Sequence, residues 1–192
     1  MKRLLLSTAL FLSLGALLRA APLKEGDAAP AVTATADDGK PLNLGDVYKK
    51  SKYTLVYFYP KAYTGGCTAQ GCSLRDDYDE LTKRGVSIVG VSTDKVEDQK
   101  GFKELNHFQF PLIADTDKVV IKAFGQSGAN FASREAYLIK DGKVVYHDSG
   151  VTAKQGENIL NFLSRESGAP AAAPATKPAD AKPATPAAPA AK

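Results

Sequence analysis

Residues 53–75 read YTLVYFYPKAYTGGCTAQGCSLR. The first seven form an apolar, aromatic and β-branched run, the composition of a central strand buried on both faces. Pro60 closes that run, and Gly65 and Gly66 leave the next turn bare. From Cys67 onward, Leu74, Tyr78 and Leu81 recur at helical spacing until Gly85, which predicts a helix over 67–83. Residues 86–92, VSIVGVS, follow as a second buried strand. A strand, a helix and a second strand of this kind make a parallel crossover.

Working outward from this unit gives the rest of the domain. Residues 31–35 and the segment around Leu42 read as short strands joined by the turn signal DDGK. Residues 96–105 suit a polar helix, FPLIAD a short strand or extended link, and 119–124 a short helix. Residues 137–139 and 144–146 flank KDGK, a hairpin signal. Residues 156–164, with Ile159, Leu160 and Leu163 on one face, make a closing helix. Two parallel crossovers followed by an antiparallel hairpin and a helix predict an α/β fold. Its mixed central sheet is covered on both faces, in the thioredoxin-like order, behind an N-terminal β-hairpin.

The two ends of the 192-residue chain have other compositions. Residues 1–20 combine Lys2 and Arg3, an apolar run and small residues near Ala20, the layout of a secretory signal peptide. No cysteine lies near that site for lipid attachment. Residues 169–192 contain only Ala, Pro, Lys, Thr and Asp, with proline every few positions. Such a segment lacks the large apolar side chains that offset ordering entropy, and it reads as a disordered tail. Residues 21–168 are left as one domain, expected in the periplasm or otherwise exported. Lys2, Arg3 and Arg19 supply three of the formal +4 charges and the tail a net two more, so the domain sits near −1. The basic ends give no argument for nucleic-acid binding.

Cys67 and Cys72 are the only cysteines. A structural bridge, a metal clip and a reactive pair are all conceivable. In one continuous helix a five-residue step separates Cα atoms by roughly 8.7 Å, beyond the ~7 Å that a disulfide tolerates. A bridge therefore requires the helix to unwind, which suits a redox cycle better than a staple. Thr64 is a suitable N-cap, and it puts Cys67 at the third helical position, where open amides and the helix dipole favour a thiolate. A cation must come from elsewhere. Arg75 lies eight residues along, roughly 12 Å away, and reads as a surface or packing residue. Arg134, before the late strand, borders the end of the sheet where the cysteine helix begins.

At this point a resemblance becomes specific. Pro60-Lys-Ala-Tyr-Thr64-Gly-Gly-Cys67 resembles the Pro-x-x-x-Thr-x-x-Cys signature of peroxiredoxins. CTAQGCSLRD is similar to the bacterioferritin comigratory protein (peroxiredoxin Q) branch, in which a second cysteine follows five positions after the first. Arg134-Glu-Ala-Tyr-Leu-Ile and VGVSTD match as well. The resemblance implies a peroxidatic Cys67, oxidised by peroxide to a sulfenic acid, and a resolving Cys72 that closes an intramolecular disulfide. It implies that Thr64 hydrogen-bonds the peroxide, that Arg134 holds the thiolate, and that Pro60 shapes the pocket. No metal or other cofactor is implied, and the partners are hydrogen peroxide or an organic hydroperoxide and a thioredoxin-like reductant. The protein is expected to be a monomer with no stable membrane insertion after leader cleavage. Three positions depart from the pattern: Gly66 replaces a usual Pro, Gln70 a frequent Glu, and Gly71 weakens the helix. Gly66 and Gly71 are expected to ease its opening.

Two other readings share the fold. A thiol–disulfide oxidoreductase of the thioredoxin type uses Cys-x-x-Cys facing a cis-proline, but here the spacing is Cys-x4-Cys and FASR precedes the late strand. A copper-binding protein needs a histidine beside the thiolates. His147 is the available ligand, since His107 falls at a polar helix end.

Overall fold

The computed structural model describes residues 21–126 and 130–168. The leader and tail expected at 1–20 and 169–192 lie outside these residues. The chain opens with a two-stranded antiparallel sheet, β1 (Thr33–Thr35) and β2 (Pro41–Asn43). It runs directly into α1 (Leu44–Lys50), which the sequence reading missed. That helix has only seven residues and carries Gly45. Its start is marked by Asn43, whose side chain accepts from the Asp46 amide at 3.1 Å. Gly45 is required there, because a Cβ would lie 2.8 Å from that of Ala31.

The 53–59 run forms β3 (Tyr53–Phe58), the central strand of a five-stranded sheet. It pairs in parallel with β4 (Val86–Ser92), which pairs in parallel with β5 (Leu112–Ala114). On its other side β3 pairs antiparallel with β6 (Glu135–Lys140), which forms a hairpin with β7 (Lys143–Ser149). The helices are α2 (Gly65–Asp76), α3 (Tyr78–Lys83), α4 (Val96–Asn106), α5 (Val119–Ala123) and α6 (Gln155–Ser167). The mixed sheet flanked by helices, behind an N-terminal hairpin, is the thioredoxin-like architecture expected.

Alternation along β3 divides the core. Tyr53, Leu55, Tyr57 and Tyr59 face Leu74, Leu81, Phe102, Phe108, Ile159 and Leu163, carried by α2, α3, α4, α6 and the loop after α4. Val56 and Phe58 face Leu44, Val120, Ile121 and Phe124 beneath α1 and α5. Each fully buried side chain of this kind contributes about 1.5–3 kcal/mol. Gly90 in β4 has a packing reason, since a Cβ would lie 2.6 Å from Leu112 and 2.8 Å from the Tyr57 hydroxyl. Among the described residues no helix is long and apolar enough to cross a membrane.

The predicted 67–83 helix differs in two ways. It starts earlier, at Gly65, and it breaks at Asp77 into α2 and α3. The N-terminus of α6 seats against that break: the Gly156 amide donates to Ser73 Oγ at 2.8 Å, and a Cβ on Gly156 would come within 2.7 Å of the Ser73 carbonyl. The break thus depends on a helix far along the chain, beyond the reach of a local pattern.

Candidate active site

The sheet register assembles the site. Phe58, the last residue of β3, lies opposite Glu135, the first of β6. Arg134 therefore arrives where the 59–64 loop turns into α2. Its Nη2 donates to Cys67 Sγ at 3.4 Å and its Nη1 to Gln70 Oε1 at 2.8 Å and the Gly66 carbonyl at 3.3 Å. Cys67 is 1 % exposed. The guanidinium thus touches a sulfur that is otherwise sealed from water.

Thr64 occupies the N-cap, with Cys67 third in the helix. Its hydroxyl does not cap, however. It turns back and donates to the Lys61 carbonyl at 2.9 Å. The first intrahelical bond runs from the Thr68 amide to the Thr64 carbonyl, at 2.9 Å, so the amides before Thr68 point past the helix end. A small oxygen-bearing ligand is suited to that place, and Thr64 is exposed at its rim. Half-buried Pro60 begins the loop that leads there. Gly66 permits a close approach, because a Cβ would lie 3.1 Å from Arg134 Nη2.

The loop itself is held by residues that motif reading did not single out. Asp94, in the STD turn after β4, accepts from the Ala62 amide at 2.8 Å and from Ser92 Oγ at 2.7 Å. Tyr63 adopts a left-handed φ of +62°, fixed by its hydroxyl donating to the Asp98 carbonyl and by its ring on Phe102. The Tyr59 hydroxyl donates to Gln99 Oε1 beneath the loop.

Cys72 has different surroundings. Both cysteines are free thiols on one unbroken helix. Cys72 is half-buried against the aromatic side of the core, its Sγ 3.8 Å from Asn106 Oδ1. Burial pushes its thiol above the ordinary value, and the Arg75 guanidinium offsets part of that rise. Arg75 also donates to the Asn106 carbonyl at 3.0 Å and pairs with Asp76. It is a packing arginine as expected, but one that serves the second cysteine. Gly71, expected to ease opening of the helix, also has a packing reason. A Cβ there would lie 3.0 Å from Phe108 Cε1 and closer still to Cζ, so the missing side chain is a socket for that ring. Phe108 in turn stacks on Phe110 and meets Phe102 edge-on.

His147 is tied up in β7. Its Nε2 lies 2.5 Å from Glu135 Oε2, and its ring stacks on Tyr137 at 4.5 Å. His107 ends α4 in a left-handed conformation.

A thioredoxin-like sheet that presents one buried cysteine at a helix N-terminus against a guanidinium defines a thiol-dependent oxidoreductase. The family model described as AhpC/TSA matches residues 25–147. Peroxiredoxin Bcp of Escherichia coli (strain K12) is 40% identical over 152 residues, covering 74% of this chain and 96% of that protein. Among solved structures, peroxidoxin BcpB from Mycobacterium tuberculosis superposes with a TM-score of 0.69 at 28% identity, over 74% of this chain and 97% of its own. The Xanthomonas campestris bacterioferritin comigratory protein, in a structure addressing alkyl peroxide reduction activity, gives a TM-score of 0.66 at 26% identity, over 77% and 99%. The chain belongs to the AhpC/TSA family and is a peroxiredoxin, a thiol peroxidase.

Proposed function

We propose that this peroxiredoxin works by a two-cysteine cycle confined to α2. The Cys67 thiolate attacks the distal oxygen of a hydroperoxide, the O–O bond breaks, and the leaving alkoxide or hydroxide takes a proton. Cys67 is left as a sulfenic acid. Arg134 and the open amides of the first turn of α2 bind the oxygens as charge develops on them, and the Thr64 hydroxyl joins them from the rim by turning away from the Lys61 carbonyl. Pro60 shields the pocket from bulk water. The observation that carries this reading is the 3.4 Å contact between Arg134 Nη2 and the buried Cys67 Sγ.

Cys72 then attacks the sulfenic sulfur, expelling water and forming the Cys67–Cys72 disulfide. In an intact helix the two Cα atoms stand roughly 8.7 Å apart, so α2 opens between them. Opening lifts Gly71 off Phe108. A thioredoxin-like dithiol restores both thiols by exchange through a mixed disulfide. Hydrogen peroxide and organic hydroperoxides are the substrates, in keeping with the alkyl peroxide activity addressed for the Xanthomonas protein. The cycle needs no second subunit, so the protein acts as a monomer. The leader directs it to the periplasm or beyond.

Steady-state consumption of hydrogen peroxide and cumene hydroperoxide by the leaderless protein, driven by thioredoxin and its reductase, tests this function. Turnover with both peroxides is expected. Failure to consume either while both thiols stay reduced would contradict it.

A further inference from the structure

Gln70 is fully buried, on the turn of α2 after Cys67, and its amide is held at both ends. Its Oε1 accepts from Arg134 Nη1 at 2.8 Å, and its Nε2 donates to Gln155 Oε1 at 3.1 Å. Gln155, itself buried, donates its Nε2 to Asp148 Oδ2 at 3.3 Å. The same oxygen accepts from Tyr146 Oη and Asn158 Nδ2, each at 2.9 Å. The chain of contacts therefore runs from β7 through α6 and α2 to the guanidinium beside Cys67.

Its direction follows from donor and acceptor chemistry. A carboxylate accepts only and a guanidinium donates only. Asp148 therefore requires the NH2 of Gln155 to face it, which turns the Gln155 oxygen toward Gln70. Gln70 must then present its NH2 to Gln155 and its oxygen to Arg134. Both ends demand the same orientation, so neither amide can flip without placing like atoms against each other. We propose that Asp148, Gln155 and Gln70 form a polarity relay that positions Arg134 against the Cys67 sulfur. These are positioning residues, acting through Arg134.

The relay also explains why Gln, rather than Glu, suits position 70 in this chain. The carboxylate introduced by Gln70→Glu would face the oxygen of Gln155. If that amide turned to donate instead, its oxygen would be set against Asp148. Replacing Asp148 by Asn removes the conflict, because Asn can donate to a reversed Gln155 once the Asn158 amide and the Tyr146 hydroxyl turn to accept rather than donate. A Gln70→Glu change should therefore be harmful alone and tolerated with Asp148→Asn.

The relay rests on the reading of Arg134 as the partner of the Cys67 thiolate, so Arg134→Ala is measured alongside. The experiment follows oxidation of Cys67 in the full chain by hydrogen peroxide in a single turnover, with melting temperatures confirming that each variant is folded. Gln70→Glu is expected to slow oxidation on the order of tenfold, through misplacement of one transition-state donor. Asp148→Asn alone should slow it by about threefold, and the double variant should recover to within about threefold of wild type. A simple charge effect predicts the opposite sign for Asp148→Asn, since removing a negative charge near the thiolate would speed the reaction, and that result would overturn the relay. Additive losses in the double variant would overturn it too. An unchanged rate in Arg134→Ala would overturn both the relay and the role of Arg134, whereas a slow Arg134→Ala with unaffected single variants would overturn the relay alone.

Discussion

The two halves of α2 carry one cysteine each and are built on opposite principles. Around Cys67 the helix end is polar and fastened: Arg134, Gln70 and Gln155 interlock within hydrogen-bond distance. Around Cys72 it is apolar and seated, with Phe108 filling the space over Gly71. The first arrangement resists motion because its hydrogen bonds are directional and interlocked. The second is held by burial without direction, and burial can be released in one step when a helix unwinds. In the proposed cycle, one helix combines a rigid site for attack with a releasable seat for resolution.

The largest expected effect breaks the polar half. Cys67→Ser should abolish peroxide consumption, measured as loss of hydrogen peroxide under turnover; residual catalysis above that of free thiols would refute its role. Arg134→Ala should lower the oxidation rate constant by about 10²-fold, the usual consequence of losing one donor to a developing oxyanion. In Cys72→Ser the first turnover should proceed at nearly the wild-type rate and then stop, leaving a sulfenic acid trappable by dimedone.

A smaller effect probes the apolar half. Phe108→Ala should destabilise the protein by about 3–5 kcal/mol by opening a cavity over Gly71. It should also loosen Cys72. In the Cys67→Ser background only Cys72 can be alkylated, and its thiol lies above the ordinary value through burial. The thiolate fraction at a given pH is accordingly smaller than for a free thiol. The alkylation rate should climb with pH and level off only above the ordinary thiol range. Adding Phe108→Ala removes burial, so the midpoint should move down toward the ordinary value; an unmoved midpoint would mean that Phe108 does not seat this cysteine. The smallest change expected is at Tyr57, whose buried hydroxyl has no hydrogen-bond partner among the described residues. Tyr57→Phe removes an unsatisfied polar group, and thermal melts should find it neutral or more stable by about 1 kcal/mol.

Much of this is legible in the amino-acid order. The 53–59 run, the helical spacing after Cys67 and the hairpin signal at KDGK reveal the strands and helices and their order along the chain, because strand burial and helix periodicity are local properties. Cys67, Thr64 and Arg134 stand out by residue type and position, Pro60 through the family resemblance, and the sheet register brings Arg134 to the end of β3 where the others lie. What escapes is contributed by distant segments. The break at Asp77 depends on α6, the fit of Gly71 on Phe108, and the orientation of Gln70 on Gln155 and Asp148. Thr64 sits where a cap belongs, yet its hydroxyl serves Lys61, since the loop offers a carbonyl at 2.9 Å that no pattern encodes. α1 is missed because seven residues with a glycine give too short a period to read.

The central claim is that both halves of α2 act in one cycle, the rigid end attacking and the seated thiol resolving. The most direct test treats the reduced protein with one equivalent of hydrogen peroxide, blocks remaining thiols, and maps the unreduced peptides by mass spectrometry. A Cys67–Cys72 link within a single chain is expected, with the loss of two hydrogens and no free thiol. A Cys67 sulfinic acid beside an alkylated Cys72, or a link between two chains, would contradict it.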